Sequence, residues 1–368
     1  MAHSPSLENI DEYFRKRLAP VEGAIPHIAG IEIFGLSLPA GSVGGDLFEY
    51  INFQQRYDID ERIQQARRRA KEFLESQLPN SSPRNSVDDH INWLKTRGDY
   101  RSEMESEYRH ARSLEQIRIA EDLQSLHETA GLLVVDAQGH GIISAKIAST
   151  VHDTFHALML SELDHHGKTT PCLFESVNLR LAQSTIARNV LGANEMGFAR
   201  EIATMLYGEV HPHGYFRFVN FGHPAPMVFS AEYQQFMPLD ESHMVRFLPL
   251  GLQIPSDHPD RHRYTSMQFR KRRADSSDVA EIALMNTGDI LFLYTDGVFD
   301  GADGEERQRL ETVIGSVCRE SARTICEAIL EYARHRDEKL RAIGEEDLID
   351  DKTVFIVKRI ASGSFRAR

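Results

Sequence analysis

The run Gly131-Leu-Leu-Val-Val-Asp-Ala-Gln-Gly-His-Gly141 constrains this chain more than any other stretch. Leu132 to Val135 is apolar at every position, the pattern of a buried strand, and it delivers Asp136 to the strand's end. A tight Gly-His-Gly turn follows, and Ile142 opens an amphipathic helix. A carboxylate placed there is held by rigid backbone on one side. It stays open to close approach on the other, because Gly139 and Gly141 carry no side chain. Ile290-Leu-Phe-Leu-Tyr-Thr-Asp-Gly297 repeats the device, running an apolar strand into Asp296 and a glycine. Two strand-end aspartates suggest a hard-cation site, since carboxylates suit Mg²⁺ or Mn²⁺.

Two more acidic sites stand at comparable places. Ile31 to Leu38 alternates like a half-buried strand, Ala40-Gly-Ser-Val-Gly-Gly-Asp46 turns sharply, and Leu47 to Ile51 resumes as a strand. Near the other end, Asp350-Asp351 precedes an alternating strand from Thr353 to Ile360. Between these lie a helix with Ile143, Ile147, Val151, Phe155 and Leu158 on one face, and a second from about Pro171 to Val190. Short strands then read as an antiparallel meander over Glu201–Val210, Tyr215–Asn220 and Pro226–Phe229. Further strands are expected at Met244–Leu248, Val279–Met285 and Asp289–Tyr294, with helices at about Glu305–Cys318 and Thr324–Ala342.

Residues 52–128 differ in character. They concentrate Arg, Lys and Glu and hold almost no β-branched runs. Ile63, Ala66, Ala70 and Phe73 fall at helical spacing, as do Met104, Tyr108, Ala111 and Leu114, while Pro79 to Ser86 breaks the two. The expectation is an inserted hairpin of long charged helices. It serves either as a solvated insertion whose apolar stripe packs on itself, or as a dimerisation or partner-binding arm. Residues 1–30 give a short helix, Leu7 to Leu18, and a linker punctuated by Pro20 and Pro26; residues 361–368 are a tail.

Composition narrows the functional classes. Apolar content of 41% with 26% charged residues is ordinary for a soluble globular protein. A net charge of -13 argues against a dedicated nucleic-acid binder. Cys172, Cys318 and Cys326 form no CxxC, which suits free thiols in a reducing, cytoplasmic compartment. Met1 to Glu12 shows no charged apolar leader and no run approaches a membrane span, so neither secretion nor membrane insertion is expected.

The ordered series Val43-Gly-Gly-Asp46, Asp136-Ala-Gln-Gly-His-Gly141, Ala203-Thr204 before Tyr207, Asn220-Phe-Gly-His-Pro224, Pro249-Leu-Gly251, Tyr294-Thr-Asp-Gly297 and Asp350-Asp-Lys-Thr353 resembles the metal-dependent protein phosphatases of the PPM (type 2C) superfamily. The similarity is to the bacterial branch typified by sporulation protein E and RsbU, and it covers residues 31–51 and 129–360.

The resemblance implies an α/β (α+β) PP2C-like sandwich, with two packed antiparallel β-sheets flanked by helices. The phosphatase domain would span 31–360, interrupted by the insertion at 52–128. It further implies two Mn²⁺ or Mg²⁺ ions at one end of the sandwich. On that basis Asp46 is a metal ligand or orients a bound water, and Asp136 bridges both ions, joined by the backbone carbonyl of Ala137. Asp296 and Asp350 match the remaining ligands, and Asp351 supports Asp350. The implied substrate is a phosphoserine or phosphothreonine protein, in this family often an anti-sigma-factor antagonist. The chain departs from the family at Ala137-Gln138 and in its insertion of roughly 75 residues, where a short hairpin is usual.

The residue types agree with that chemistry. Phosphate-monoester hydrolysis is very slow unaided, and two divalent ions both activate water and neutralise phosphoryl oxygens. No Cys-nucleophile motif and no GxxxxGK[ST] loop offers another route. The alternatives are a pseudophosphatase that binds without turnover, and an assembly scaffold acting through 52–128. His140 and His223 are read as loop braces at least as readily as acids, and the remaining histidines as forming no HxxxH ligand pair on a helix.

Overall fold

The structure, a computed structural model, describes residues 12–13, 25–75, 104–139, 141–182, 201–239, 246–252, 280–284, 286–299 and 304–361. In chain order it forms β1 (Ile31–Leu38), β2 (Asp46–Asn52), α1 (Phe53–Tyr57), α2 (Ile59–Glu75), α3 (Met104–Ser125), β3 (Ala130–Ala137), α4 (Ile142–His166) and α5 (Pro171–Ala182). There follow β4 (Ala203–Val210), β5 (Tyr215–Phe221), β6 (Met227–Ser230), β7 (Gln235–Met237), β8 (Arg246–Phe247), β9 (Ala280–Ala283) and β10 (Ile290–Tyr294). The chain closes through α6 (Gly304–Val317), α7 (Ala322–Ile343) and β11 (Lys352–Arg359). The expected N-terminal helix, the break at Pro79 to Ser86 and the tail from 362 onward lie outside the described residues, apart from 12–13.

Two sheets form the sandwich that the sequence resemblance implies. One runs β1-β11-β10-β6-β7; the other runs β2-β3-β4-β5-β8, with β9 also on β5. Every pairing is antiparallel except the two-residue match of β5 with β8. The continuous apolar strands follow from burial of both faces. On β10, Leu291 and Leu293 join Phe48, Leu132, Val134, Leu206 and Phe355 in the core between the sheets. Ile290, Phe292 and Tyr294 instead meet Leu310 and Ile314 of α6 and Ile325 and Ile329 of α7. On the outer face of the second sheet, Tyr207 and Phe221 pack with Phe155 of α4 and Phe174 of α5. The Tyr50 hydroxyl crosses the core to accept the Gly35 N–H at 2.5 Å, and so ties β2 to β1 of the opposite sheet.

The face of α4 needs correction. Ile147, Val151 and Phe155 are buried as expected, but Ile143 is 76% exposed, Leu158 is half-buried, and Ala145, Ala148 and Met159 are buried beside them. Small residues near the helix start permit close approach to the sheet, so the buried stripe includes alanines that a search for large apolar residues overlooks.

The chain separates into two compact units: residues 1–52, 128–158 and 171–368, and residues 53–127 with 159–170. The second unit is built on α2 and α3, which pack together. Ile63, Ala66 and Ala70 are buried as their spacing predicts. On α3, however, Ala111 is exposed, and the buried stripe is Ser113, Ile117, Ala120 and Leu123. Ser113 Oγ donates to the Ala70 carbonyl at 3.1 Å, so a polar residue occupies a helix–helix contact. This unit also takes the end of α4, where Met159 and Leu163 are fully buried and Asp164 pairs with Arg62. Among the described residues no helix is long and apolar enough to cross a membrane.

Candidate metal centre

The site grows from the rims of both sheets at one end of the sandwich. Asp46 opens β2 and Asp136 lies near the end of β3, and the antiparallel register places them directly opposite one another. Both continue the inward-facing alternation, Asp46 with Phe48 and Tyr50, Asp136 with Leu132 and Val134. From the other sheet, β10 ends at Tyr294 and the chain turns through Thr295-Asp296-Gly297, while Asp350 and Asp351 lead into β11.

Hydroxyls from the first sheet hold the carboxylate of the second. Thr295 Oγ1 and Thr353 Oγ1 both donate to Asp46 Oδ2, at 2.8 and 2.7 Å. Asp351, expected only to support Asp350, does something more specific. Its Oδ1 accepts the Ala40 N–H and its Oδ2 the Gly45 N–H, each at 2.6 Å. It therefore fixes the turn that precedes Asp46, and a Cβ on Gly44 would lie 2.7 Å from that carboxylate.

The Ala137 carbonyl lies against the same turn: a Cβ on Gly45 would come within 2.7 Å of it. Gly139 and Gly141 adopt φ of 85° and 84°, the left-handed backbone that the turn requires.

Charge accumulates here. Burial, then Asp296, Asp350 and Asp351, pushes the Asp136 carboxyl up to about 7. Asp46 is likewise raised, first by burial and then by Asp136, against the two threonine hydrogen bonds. Several carboxylates desolvated together repel one another, and a divalent cation relieves that repulsion. The donor set, carboxylate and carbonyl oxygen, suits Mg²⁺ or Mn²⁺. By donor type, the residues present fit such ions.

Helix α7 braces both aspartate loops, a role the sequence reading missed. Arg336 donates to the carbonyls of Gly297 and Val298 and pairs with Glu306. Asp337 pairs with the buried Lys352 at 2.7 Å, and Lys352 Nζ also donates to the Asp350 carbonyl at 2.7 Å. No short motif signals these contacts.

His223 is a brace. Its ring shares a hydrogen bond with Thr204 Oγ1 at 2.8 Å, and Asn220 clasps its backbone N–H and carbonyl. Burial pushes it down to about 3, so it is neutral at physiological pH. His140 lies outside the described residues. Leu250 of the Pro-Leu-Gly motif exchanges backbone hydrogen bonds with Ala203, and Gly251 N–H donates to Asn178.

A histidine pair at HxxxH spacing does lie on a helix. His152 and His156, one turn apart on α4, both reach Glu49 of β2. Burial disfavours the Glu49 anion, but hydrogen bonds from the two imidazoles bring it down to about 2.

Comparison with known proteins finds the following similarities. In structure the chain resembles the RsbU and RsbW domains of a Mycobacterium tuberculosis protein (18% identity, TM-score 0.47, 92% of this chain and 62% of that one). It also resembles the SiaA-PP2C domain of Pseudomonas aeruginosa (14%, TM-score 0.47, 96% of each chain). A third is the phosphatase domain of SpoIIE from Bacillus subtilis with a fragment of its regulatory domain (14%, TM-score 0.41, 63% of this chain and 54% of that one). The chain thus spans less than two thirds of two of these relatives. No curated protein sequence matches it. The model of the stage II sporulation protein E family matches residues 127–360, which contain Asp136, Asp296 and Asp350, and the chain therefore belongs to the SpoIIE family of metal-dependent, PP2C-type phosphatases.

Proposed function

We propose that this protein hydrolyses phosphoserine or phosphothreonine on a protein substrate, using two Mn²⁺ or Mg²⁺ ions. The observation that carries the reading is the convergence of strand-end aspartates from both sheets, with Asp136 raised to about 7 by burial and by Asp296, Asp350 and Asp351. Asp136, the Ala137 carbonyl, Asp296 and Asp350 would hold the ions, with Asp46 as a further ligand or as the group that orients water. When bound, the ions supply an activated water and neutralise the phosphoryl oxygens. The chain's own contribution is positional. Thr295 and Thr353 fix the Asp46 carboxylate, Asp351 fixes its turn, and Arg336 and Lys352 fix the two loops of the opposite sheet.

Family membership supports a regulatory phosphoprotein of the anti-sigma-factor-antagonist type as substrate, in the cytoplasm. We assign the phosphatase body to 31–360, interrupted by 52–128, and propose that the insertion mediates homodimerisation. The outward placement of Ala111, with Arg112 and Glu115 beside it, supports a use beyond the hairpin's own packing. The test is incubation with phosphorylated antagonist proteins under Mn²⁺ or Mg²⁺, read by intact mass. Loss of one phosphate, abolished by a chelator and restored by metal but insensitive to thiol alkylation, is expected. Hydrolysis that persists in chelator overturns the reading.

A further inference from the structure

A second cluster of ligating side chains lies away from the aspartate centre. Glu49 follows Asp46 on β2 by three residues, about 10 Å along a strand, and an odd step turns it to the opposite face. Asp46, Phe48 and Tyr50 point between the sheets, whereas Glu49 points outward to α4. There His152 and His156 stand at i and i+4, on one face of the helix. His152 Nε2 lies 2.9 Å and His156 Nε2 2.5 Å from the same atom, Glu49 Oε2. The two rings are 4.4 Å apart and inclined by 67°. Their side chains are 18% and 11% exposed and that of Glu49 15%, so the cluster is sheltered yet within reach of solvent. One ligand atom from each residue lies within 4.8 Å of the others.

We propose that Glu49, His152 and His156 form a second metal site, selective for Zn²⁺ or a similar borderline transition ion. With the carboxylate ionised, the Nε2 of each ring is directed at the one oxygen. A divalent cation takes the place of the Nε2 protons, each ring ligating in its neutral form with its remaining proton on Nδ1, so that the pair of hydrogen bonds gives way to three metal–ligand bonds. Two imidazole nitrogens and a carboxylate oxygen, with the fourth position open, are an established zinc donor set. Ligand atoms of a tetrahedral ion with bonds of about 2.0–2.1 Å stand about 3.3 Å apart, so entry requires the side chains to part by less than about 1 Å.

The donor chemistry separates the two centres. Nitrogen ligands favour Zn²⁺, Co²⁺ or Ni²⁺, while the aspartate centre, all oxygen, suits Mg²⁺ or Mn²⁺. Both anchors are regular elements, a strand and a helix, which holds the ligands in place without a loop rearrangement. An ion here would fasten β2 to α4, the two elements that begin at Asp46 and just after the Asp136 turn. The inference is independent of the phosphatase reading, since its ligands and its ion are different.

The test uses the full chain, stripped with chelator and dialysed against Zn²⁺ in a large excess of Mg²⁺, followed by metal analysis. Wild type is expected to retain about one equivalent of Zn²⁺. Glu49→Gln, His152→Asn and His156→Asn should each lose it, while Asp136→Asn should keep it. Zn²⁺ should raise the melting temperature of wild type under excess Mg²⁺ and leave Glu49→Gln unmoved. X-ray absorption on the Zn²⁺-loaded wild type needs no variant and counts imidazole ligands directly; two are expected. Zn²⁺ held by oxygen ligands alone, retained equally by the three variants, or not retained at all would leave the cluster as a histidine–carboxylate ion pair and overturn the proposal.

Discussion

Asp351 Oδ2 accepts the backbone N–H of Gly45 at 2.6 Å, joining positions 306 residues apart in the chain. Its other oxygen takes the Ala40 N–H, so one buried carboxylate from the β11 end sets the turn that presents Asp46. Alanine here leaves two N–H groups without their partner, at about 1–3 kcal/mol each. Asp351→Ala is expected to lose about 2–6 kcal/mol in urea melts, with weakened metal binding. Asp351→Asn, which keeps one acceptor oxygen, should lose clearly less. Equal stability of the two variants would show that the turn does not depend on this carboxylate.

The carboxyl of Asp136 gives a pH signature to the metal-stripped protein. Its folded value, raised to about 7 by burial and by Asp296, Asp350 and Asp351, exceeds the ordinary 3.8. The associated stability is therefore fully present below the ordinary value and is lost as pH rises through the folded one. In chelator, the melting temperature should fall between about pH 4 and about pH 7, by the equivalent of roughly 4 kcal/mol. Mg²⁺ should remove the fall, and Asp136→Asn should flatten it while abolishing most turnover. An unchanged slope in that variant would falsify the assignment of this titration to Asp136.

Gly297 tests the junction of the two acidic loops. A Cβ there would sit 1.9 Å from the Asp351 carbonyl oxygen and 3.1 Å from the Asp350 carbonyl carbon. Because the obstruction is backbone, it cannot be relieved by a side-chain rotation. Gly297→Ala should displace Asp296 or Asp350, costing at least about 2 kcal/mol of stability and most activity. Gly304→Ala, whose Cβ would meet nothing within 4 Å, is the control and should be nearly neutral. Comparable melting curves and turnover for the two variants would mean that the loops are not coupled at this contact.

The aspartates were legible because local grammar marks them: an apolar run, an acid, then glycine. The sheets were legible for a related reason, since strands buried on both faces have no polar alternation to dilute the signal. The braces were not. Arg336, Asp337 and Lys352 lie on a helix and a strand edge, and their roles depend on which loops those elements pass. The HxxxH pair was present in the sequence as His152-Asp-Thr-Phe-His156, yet its third member, Glu49, lies on a distant strand. Only the pairing of β2 with β3, and the passage of α4 over that sheet, brings the three together. On α3 the expected stripe fails at Ala111, which faces out, while Ser113, a polar residue bonded to the Ala70 carbonyl, takes a buried position.

The insertion yields the last prediction. Helices α2 and α3 bury a narrow stripe, Ile63, Ala66 and Ala70 against Ser113, Ile117 and Ala120, too little to keep two charged helices ordered unaided. The end of α4 adds Met159 and Leu163 to the same unit, so α4 runs through both compact units of the chain. Its first turn follows the Asp136 loop. We propose that a second copy of the chain orders the hairpin and tunes the affinity of the phosphatase domain for its ions. The experiment replaces 54–126 with a short Gly-Ser turn and changes Met159 and Leu163 to Gln, so that no new apolar patch is left exposed. Light scattering should then show the parent as a dimer and the variant as a monomer. The variant's activity should need roughly tenfold more Mn²⁺, the size of a typical coupling energy between linked sites. A variant with the parent's mass and the same Mn²⁺ dependence would reduce the hairpin to a self-packed decoration of the phosphatase body.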